Sequence, residues 1–484
     1  MTGTPAPREE DVLDLAVIGA GAAGTWVADT MQRARPDWSI VVFERLNRIG
    51  GRLRSVKVPG LEHPIELGGM RYLTSHRRVA SVIADLEIPT RAFNTWGGSE
   101  RSLLRGRLGN GPGDPDAGAG YDLRADEQGR SALDLAREVF LSVVPDAESL
   151  NGDGWRQLRS TGRYLDRRLI DWSIAEAMAT VRSPSGHRFA TDAFGYDSGL
   201  RPHNAADAIQ FLLGGNDPNT EARVPVDGMD RIPGRLAARF EAAGGSTKLG
   251  HDVRQLTLDD GLVRLHVGDG AATSARRVVL ALPVSALRAL AQDSSLIDTP
   301  AHRRIYDSVE GFPATKLYLW FDRPWWRQDG SGVTGIRSTT DLPNRKVFYF
   351  DGQSDMPAAI LAAYTDGLDN TPIVDLAGGV SDGAPAPAAL LAAVVEHLRS
   401  IHPSVYVPPP IGSAFMHWGA DPREIGWTFW LSGFNSDDEM ASALQPDPAL
   451  PIHIAGESFS RSQSWVEGAL ETAEAVTDRL LATP

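Results

Sequence analysis

The chain has 484 residues, 42% hydrophobic and 23% charged, enough for a large core and two domains of ordinary globular composition. Its formal net charge of -14 argues against nucleic acid as a partner. The absence of cysteine excludes disulfides, thiolate metal sites, thiol catalysis and any prosthetic group attached through cysteine.

MTGTPAPREED carries no basic region leading into an apolar core, and no apolar run reaches membrane-span length, so no membrane partner is expected and the cytoplasm is the expected location. LDLAVI predicts a buried strand over 14–18. A helix over 22–34 and a second strand over 39–44, ending on Glu44, follow. Between strand and helix stands Gly19-Ala20-Gly21-Ala22-Ala23-Gly24. In such an opening Gly19 permits the tight turn, Gly21 lets backbone approach a pyrophosphate, and Gly24 lets helix pack on strand. The phosphates then meet the unpaired N–H groups at the helix start. Glu44, 20 residues past Gly24, has the reach of a carboxylate that grips a ribose diol.

Farther on, Leu104 to Gly120 is too rich in glycine and proline for a core element and predicts a mobile surface loop. Helical spacing returns within 131–215, in SALDLAREVFLSVV and SIAEAMATV, and again in VDGMDRIPGRLAARFEAAG. STKLGHDVRQLTL leads to a turn at Asp259-Asp260-Gly261, and RLHVG and RRVVLALP predict strands returning to the first sheet. Thr315–Phe321 is expected to open a second sheet, 367–387 to be a low-order insertion, and 388–399 and 467–481 to be helices.

The tail HIAGESFSRSQSWVEGALETAEAV lies more than 400 residues past the first motif, beyond the reach of one dinucleotide fold. The first motif therefore anchors a cofactor and the tail closes over its other end. The expected architecture is α/β with α+β features. A discontinuous Rossmann-like domain (10–92, 226–310 and 450–484) holds the cofactor; a substrate-binding domain with a helical part (93–225) and a mixed sheet (311–449) is inserted into it.

Lysine is scarce, at 57, 248, 316 and 346 only, so a lysine within an apolar strand stands out. Alternation in TKLYLWF puts Thr315, Leu317, Leu319 and Phe321 on one face and Lys316, Tyr318 and Trp320 on the other. An edge position, or a side chain reaching solvent, is the plainer reading of Lys316.

The chain resembles the flavin-containing amine oxidase family, which includes monoamine, polyamine and L-amino-acid oxidases. The likeness rests on ordered blocks along nearly the whole chain: GAGAAG, FERLNRIGGRLRSV, IELGGMRY, VDGMDRIPGRLAARF, RVVLALP, TKLYLWF, WGADPREIG and AGESFSRSQSWVEGAL. The resemblance implies noncovalent FAD on Gly19, Gly21, Ala23, Gly24, Glu44, Arg45, Gly51, Arg52, Gly69, Met70, Arg71, Val253, Glu457 and Val466. It puts Arg52 on the pyrophosphate, where a guanidinium fork suits phosphate oxygens, with Arg48 and Arg54 solvated on either side. Glu457 is alternatively a helix-capping acid.

The resemblance further implies that Lys316 is catalytic, orienting a water beside the flavin. Trp427 and Trp465 become walls of an aromatic cage, with core packing as the alternative. Arg71 matches the position where amino-acid oxidases clamp the substrate carboxylate; the alternative is a bond to a protein carboxylate or to FAD phosphate. His63, His76, His417 and His453 lack ligand spacing, and no metal is expected. The implied activity is oxidative deamination of an L-amino acid to a 2-oxo acid, ammonia and hydrogen peroxide. The side chain would be large and apolar, aromatic or basic, dioxygen the second substrate, and a homodimer the family expectation. Monoamine or polyamine oxidase, amino-acid 2-monooxygenase, a biosynthetic desaturase and a noncatalytic flavin-binding protein stay open.

Overall fold

The computed structural model describes residues 12–482 except 94–99, 202, 215–219, 269, 329–330, 332–336 and 351–354. The opening MTGTPAPREE and Asp11, from which the absence of a leader was read, lie outside them.

Two sheets organise the chain. The first is five-stranded and parallel, in the order Ser246–Lys248, Ile40–Phe43, Leu15–Ile18, Val278–Leu280, Ile452–Ile454. LAVI, IVVF, VVL and IHI are buried throughout, as expected of parallel strands covered on both faces. Alternation divides them. Leu15, Val17, Ile40 and Val42 pack with Val27 of helix Ala22–Ala34, Phe240 of helix Arg231–Ala242 and Val476 of helix Val466–Ala482. Ala16, Ile18, Val41 and Phe43 pack on the other side with Leu256, Val263 and Leu265, from an antiparallel layer over 253–275. Five strands gathered from both ends and the middle of the chain make this Rossmann-like unit discontinuous.

The second sheet has seven strands, in the order Gly412–Trp418, Ala314–Phe321, Ala358–Asp366, Lys346–Tyr349, Arg337–Thr340, Arg101–Leu104, Arg107–Gly109. It is mixed: Arg337–Thr340 and Arg101–Leu104 run parallel, the other neighbours antiparallel. Leu317, Leu319 and Phe321 pack against helices Thr371–Ala377 and Ala388–Ile401. Tyr318 and Trp320 face the opposite core, which includes Leu67, Met70 and Met416. Helices Ala132–Val143, Ile174–Val181 and Ala205–Gly214 belong to a separate helical core.

Three expectations are corrected. Residues 104–120 are no mobile loop: Leu104 ends a strand, Arg105 and Gly106 turn a hairpin with φ of 50° and 72°, and a 3-10 helix spans Pro115–Gly120. Asp114 caps that helix by accepting from Asp116 N at 2.9 Å, so glycine and proline here supply turn geometry rather than freedom. The second sheet opens not at Thr315 but with this hairpin, whose strand Arg101–Leu104 pairs with Arg337–Thr340. The insertion at 367–387 contains the 3-10 turn Gly367–Asn370 and helix Thr371–Ala377, which buries Ile373 and Ala377.

Candidate functional site

A cavity of about 610 Å³ opens at the carboxyl ends of the parallel strands, where Gly19, Glu44, Ala281 and Gly456 follow four of them. Gly19 has φ +104°, and a Cβ there would stand 2.5 Å from the Ala281 carbonyl. A Cβ on Gly24 would stand 1.9 Å from the Gly19 carbonyl. Gly24 thus closes helix on strand without lining the cavity, whereas Gly19, Gly21, Ala22 and Ala23 form its wall. Gly21 bridges Gly50, and Gly51 (φ +55°) would put a Cβ 3.2 Å from Gly21 Cα. Two backbones meet here with no side chain between them.

Glu44 is buried; its Oε2 accepts from Ala20 N and its Oε1 from Leu46 N, both at 2.8 Å. Arg45 lines the cavity while paired with Asp421 at 3.1 Å and Glu424 at 2.7 Å. Arg52 donates from Nη1 to Glu457 Oε2 at 2.8 Å. Glu457 also accepts from Thr428 N at 3.1 Å and from Ser464 N, joining the front of the chain to its tail. Val253, Trp465 and Val466 complete the wall, and helix Val466–Ala482 begins at it. Gly69 lines the cavity, but Met70 is packed in the core on the Tyr318 face of the seven-stranded sheet.

Neither neighbour of Arg52 is solvated. Arg48 lines the cavity, donates to the Gly51 carbonyl at 2.9 Å and has its pKa lowered by burial. Arg54 is held by Asp382. Bare glycine backbone, a carboxylate at the second strand end and three arginines on one wall suit a dinucleotide's diol and pyrophosphate, and the cavity fits FAD. Among the described residues no group of three or more metal-ligating side chains is placed to hold an ion.

The cavity continues onto the seven-stranded sheet, where Lys316, Tyr364, Trp427 and Trp465 line an inner chamber. Lys316 is buried, and its Nζ donates to the carbonyls of Glu66, at 3.1 Å, and of Gly68. Burial lowers its pKa to about 7, with Glu66 opposing and Arg71 assisting. The ammonium also lies 4.9 Å from the Tyr364 ring centre. Trp427 donates to Ser198 Oγ at 2.9 Å and meets Tyr196 and Tyr364 edge-on, with centroids 6.2 and 6.1 Å away. Trp465 packs edge-on against His76 at 4.8 Å.

Arg71 does not line the FAD cavity. It stands behind Trp465, its guanidinium carbon 5.7 Å from that ring, 5.6 Å from Phe93 and 6.0 Å from Phe348. Its Nε and Nη1 are shut off from solvent and have no hydrogen-bond partner among the described residues. Protein surrounds it, which lowers its pKa, while the side chain as a whole stays half-buried. Arg48, Trp418, Tyr196, Tyr364 and Lys346 escaped sequence reasoning. Arg48 sits in a quoted block, and Lys346 carried the signal of scarcity; nothing local marks the tyrosines.

A family model described as flavin containing amine oxidoreductase matches residues 22–481. Aplysianin-A of Aplysia kurodai is 27% identical, covering 96% of this chain and 90% of its own. Achacin of Lissachatina fulica is 24% identical over 99% and 95%, and an L-amino-acid oxidase of Crotalus adamanteus 24% over 98% and 86%. Among solved structures, putrescine oxidase bound to putrescine superposes with TM-score 0.72 at 16% identity, covering 97% of this chain and 99% of its own. Cyclohexylamine oxidase from Brevibacterium oxydans IH-35A does so with TM-score 0.73 at 17% identity, over 97% and 99%. At these identities the structural likeness shows the fold.

The relatives overturn the cytoplasmic expectation, because aplysianin-A, achacin and the rattlesnake oxidase are extracellular proteins. The physical reason is that lack of cysteine and of long apolar runs constrains redox chemistry and membrane insertion, not compartment. Among the described residues no helix is long and apolar enough to cross a membrane.

Proposed function

The chain belongs to the flavin-containing amine oxidoreductase family, and we propose that within it the protein is an L-amino-acid oxidase whose Arg71 holds the substrate carboxylate. It is an FAD-dependent oxidase of oxidative deamination. The flavin, when bound, supplies the two-electron oxidation of a carbon–nitrogen bond and the return of those electrons to dioxygen as hydrogen peroxide. Gly19, Gly21, Glu44, Arg45, Arg48, Arg52, Glu457 and Val466 would hold it.

The observation that carries the proposal is the unpaired guanidinium of Arg71. A cation enclosed by protein, with two N–H groups lacking acceptors, is costly unless an anion arrives. A carboxylate satisfies two donors at once and fixes the α-carbon in one orientation. Trp465, Tyr364 and Trp427 would exclude water around that carbon. Lys316, anchored on two carbonyls, would orient a water or move a proton. Arg71 and Lys346 disfavour the basic side chain that the sequence left open.

The second reading, an amine without a carboxylate, is favoured by the chamber's aromatic walls, which suit an amine equally well, but it leaves Arg71 without an anion. Anaerobic flavin bleaching with matched pairs, each an L-amino acid and its decarboxylated amine, separates the two. Bleaching by the acids alone, lost about 100-fold or more in Arg71→Met, is the expected result. Bleaching by amines that is equal or faster, and indifferent to Arg71→Met, would sink the proposal.

A further inference from the structure

Three adjacent strands of the seven-stranded sheet carry a row of side chains that the proposed function uses only in part. Lys316 and Lys346 both stand opposite Tyr364, on strands Ala314–Phe321 and Lys346–Tyr349 flanking Ala358–Asp366. Residues in register on neighbouring strands share a face, so the two lysines flank Tyr364 about 10 Å apart, two strand spacings. Both are buried.

Their surroundings differ. Lys316 has two carbonyl acceptors. The Lys346 ammonium has no hydrogen-bond acceptor among the described residues, and rests 4.1 Å from the Tyr196 ring centre and 5.5 Å from Phe194. Aromatic faces reduce the cost of a buried cation without supplying a counter-ion. Neither nearby carboxylate is hydrogen-bonded to Lys346: Glu100 pairs through Oε1 with Arg337 and acts on Lys346 only through its charge, and Asp366 accepts from the N–H groups of Asp197 and Ser198. Phe348, two residues along the strand from Lys346 and therefore on the same face, lies under Arg71. Arg71 and Lys346 thus stand on one aromatic-lined side of the sheet, near enough for Arg71 to lower the Lys346 pKa.

We propose that Lys346 is a second anion-binding residue of this chamber and holds a side-chain carboxylate, so that the substrate is a dicarboxylic L-amino acid of the aspartate and glutamate type. The inference rests on the reading that Arg71 takes the α-carboxylate. Two enclosed basic groups without a hydrogen-bonded carboxylate, on one aromatic-lined side of the sheet, call for two negative charges, and a substrate carrying both satisfies them together. A neutral side chain would leave Lys346 as it stands, and a basic one would add a third cation. Burial, with Arg337 and Arg71 assisting and Glu100 opposing, pushes the Lys346 ammonium well below its ordinary pKa, so an arriving carboxylate would favour its charged form.

The test uses purified holoenzyme and anaerobic flavin bleaching by L-glutamate and L-aspartate against their near-isosteres L-glutamine and L-asparagine. The acids are expected to react at least about tenfold faster at limiting concentration. Lys346→Met should erase that preference and Lys346→Arg should restore it. A readout without turnover is the flavin absorbance change on binding glutarate, whose Kd should rise about tenfold or more in Lys346→Met. Amides reacting as fast as acids, or no bleaching by either acid, overturns the second carboxylate site even if the variants fail to fold, and leaves Arg71 to its own test. Equal bleaching by 4-aminobutanoate and L-glutamate defeats the Arg71 reading itself.

Discussion

At Lys316 the decisive quantity is a protonation state. Two of its N–H groups are spent on the carbonyls of Glu66 and Gly68. The remaining direction holds a third N–H in the ammonium and a lone pair in the amine. Burial draws the pKa down to about 7, so the amine form becomes dominant as pH rises through neutrality. If the lone pair accepts a proton during turnover, kcat rises with pH to a plateau above about 7. Lys316→Met should abolish that limb and slow turnover about 100-fold. An unchanged pH profile in the variant would remove Lys316 from proton movement. In IELGGMRY three successive residues reach three places: Gly69 the cavity wall, Met70 the core, Arg71 the back of Trp465. The block was legible in sequence; the direction of each side chain was not, because it depends on which layer lies on either side.

At the scale of elements, the glycine motif separates stability from cofactor binding. Gly24→Ala places a methyl against the Gly19 carbonyl, inside the contact between helix Ala22–Ala34 and strand Leu15–Ile18. It should destabilise the apoprotein by about 3 kcal/mol and release flavin, read as a lower Tm and flavin-to-protein absorbance ratio. Gly21→Ala meets no protein atom closer than 3.9 Å, so apoprotein stability should change by less than about 0.5 kcal/mol while flavin is lost. Equal losses of stability in the two variants would refute the distinction. The first strand, helix and second strand were legible within a residue or so, since local apolar pattern and glycine sterics agree there. Residues 104–120 misled because their glycines and prolines serve a hairpin and a 3-10 turn, whose order comes from pairing with Arg337–Thr340, more than 200 residues away.

Over the whole molecule, buried histidines set the acid limit of stability. Desolvation lowers nine of the 11, His76, His402 and His453 to about 4 and His203 to about 3. Between about pH 4 and 6.5 the unfolded chain binds protons that the folded chain refuses, so their contribution is complete above 6.5 and is lost on acidification. Burial raises Asp366 to about 6 and Glu66 to about 7 and raises Asp207, Asp230 and Asp369 as well; these five carboxyls act in the opposite sense but are outnumbered by the nine histidines. The Tm should therefore fall steadily from pH 6.5 to 4.5, and a flat or rising Tm in calorimetry across that window would contradict this balance. By itself the sequence determined the dinucleotide turn, the carboxylate at the second strand end, the family and the face on which Lys316 lies, because sterics and two-residue alternation act within a single element. Only the tertiary structure decided that Lys316, Tyr364 and Lys346 form one row and that Arg71 stands without a partner. Register between strands separated by tens of residues, and the enclosure of a charge, are set by long-range packing that no local pattern encodes.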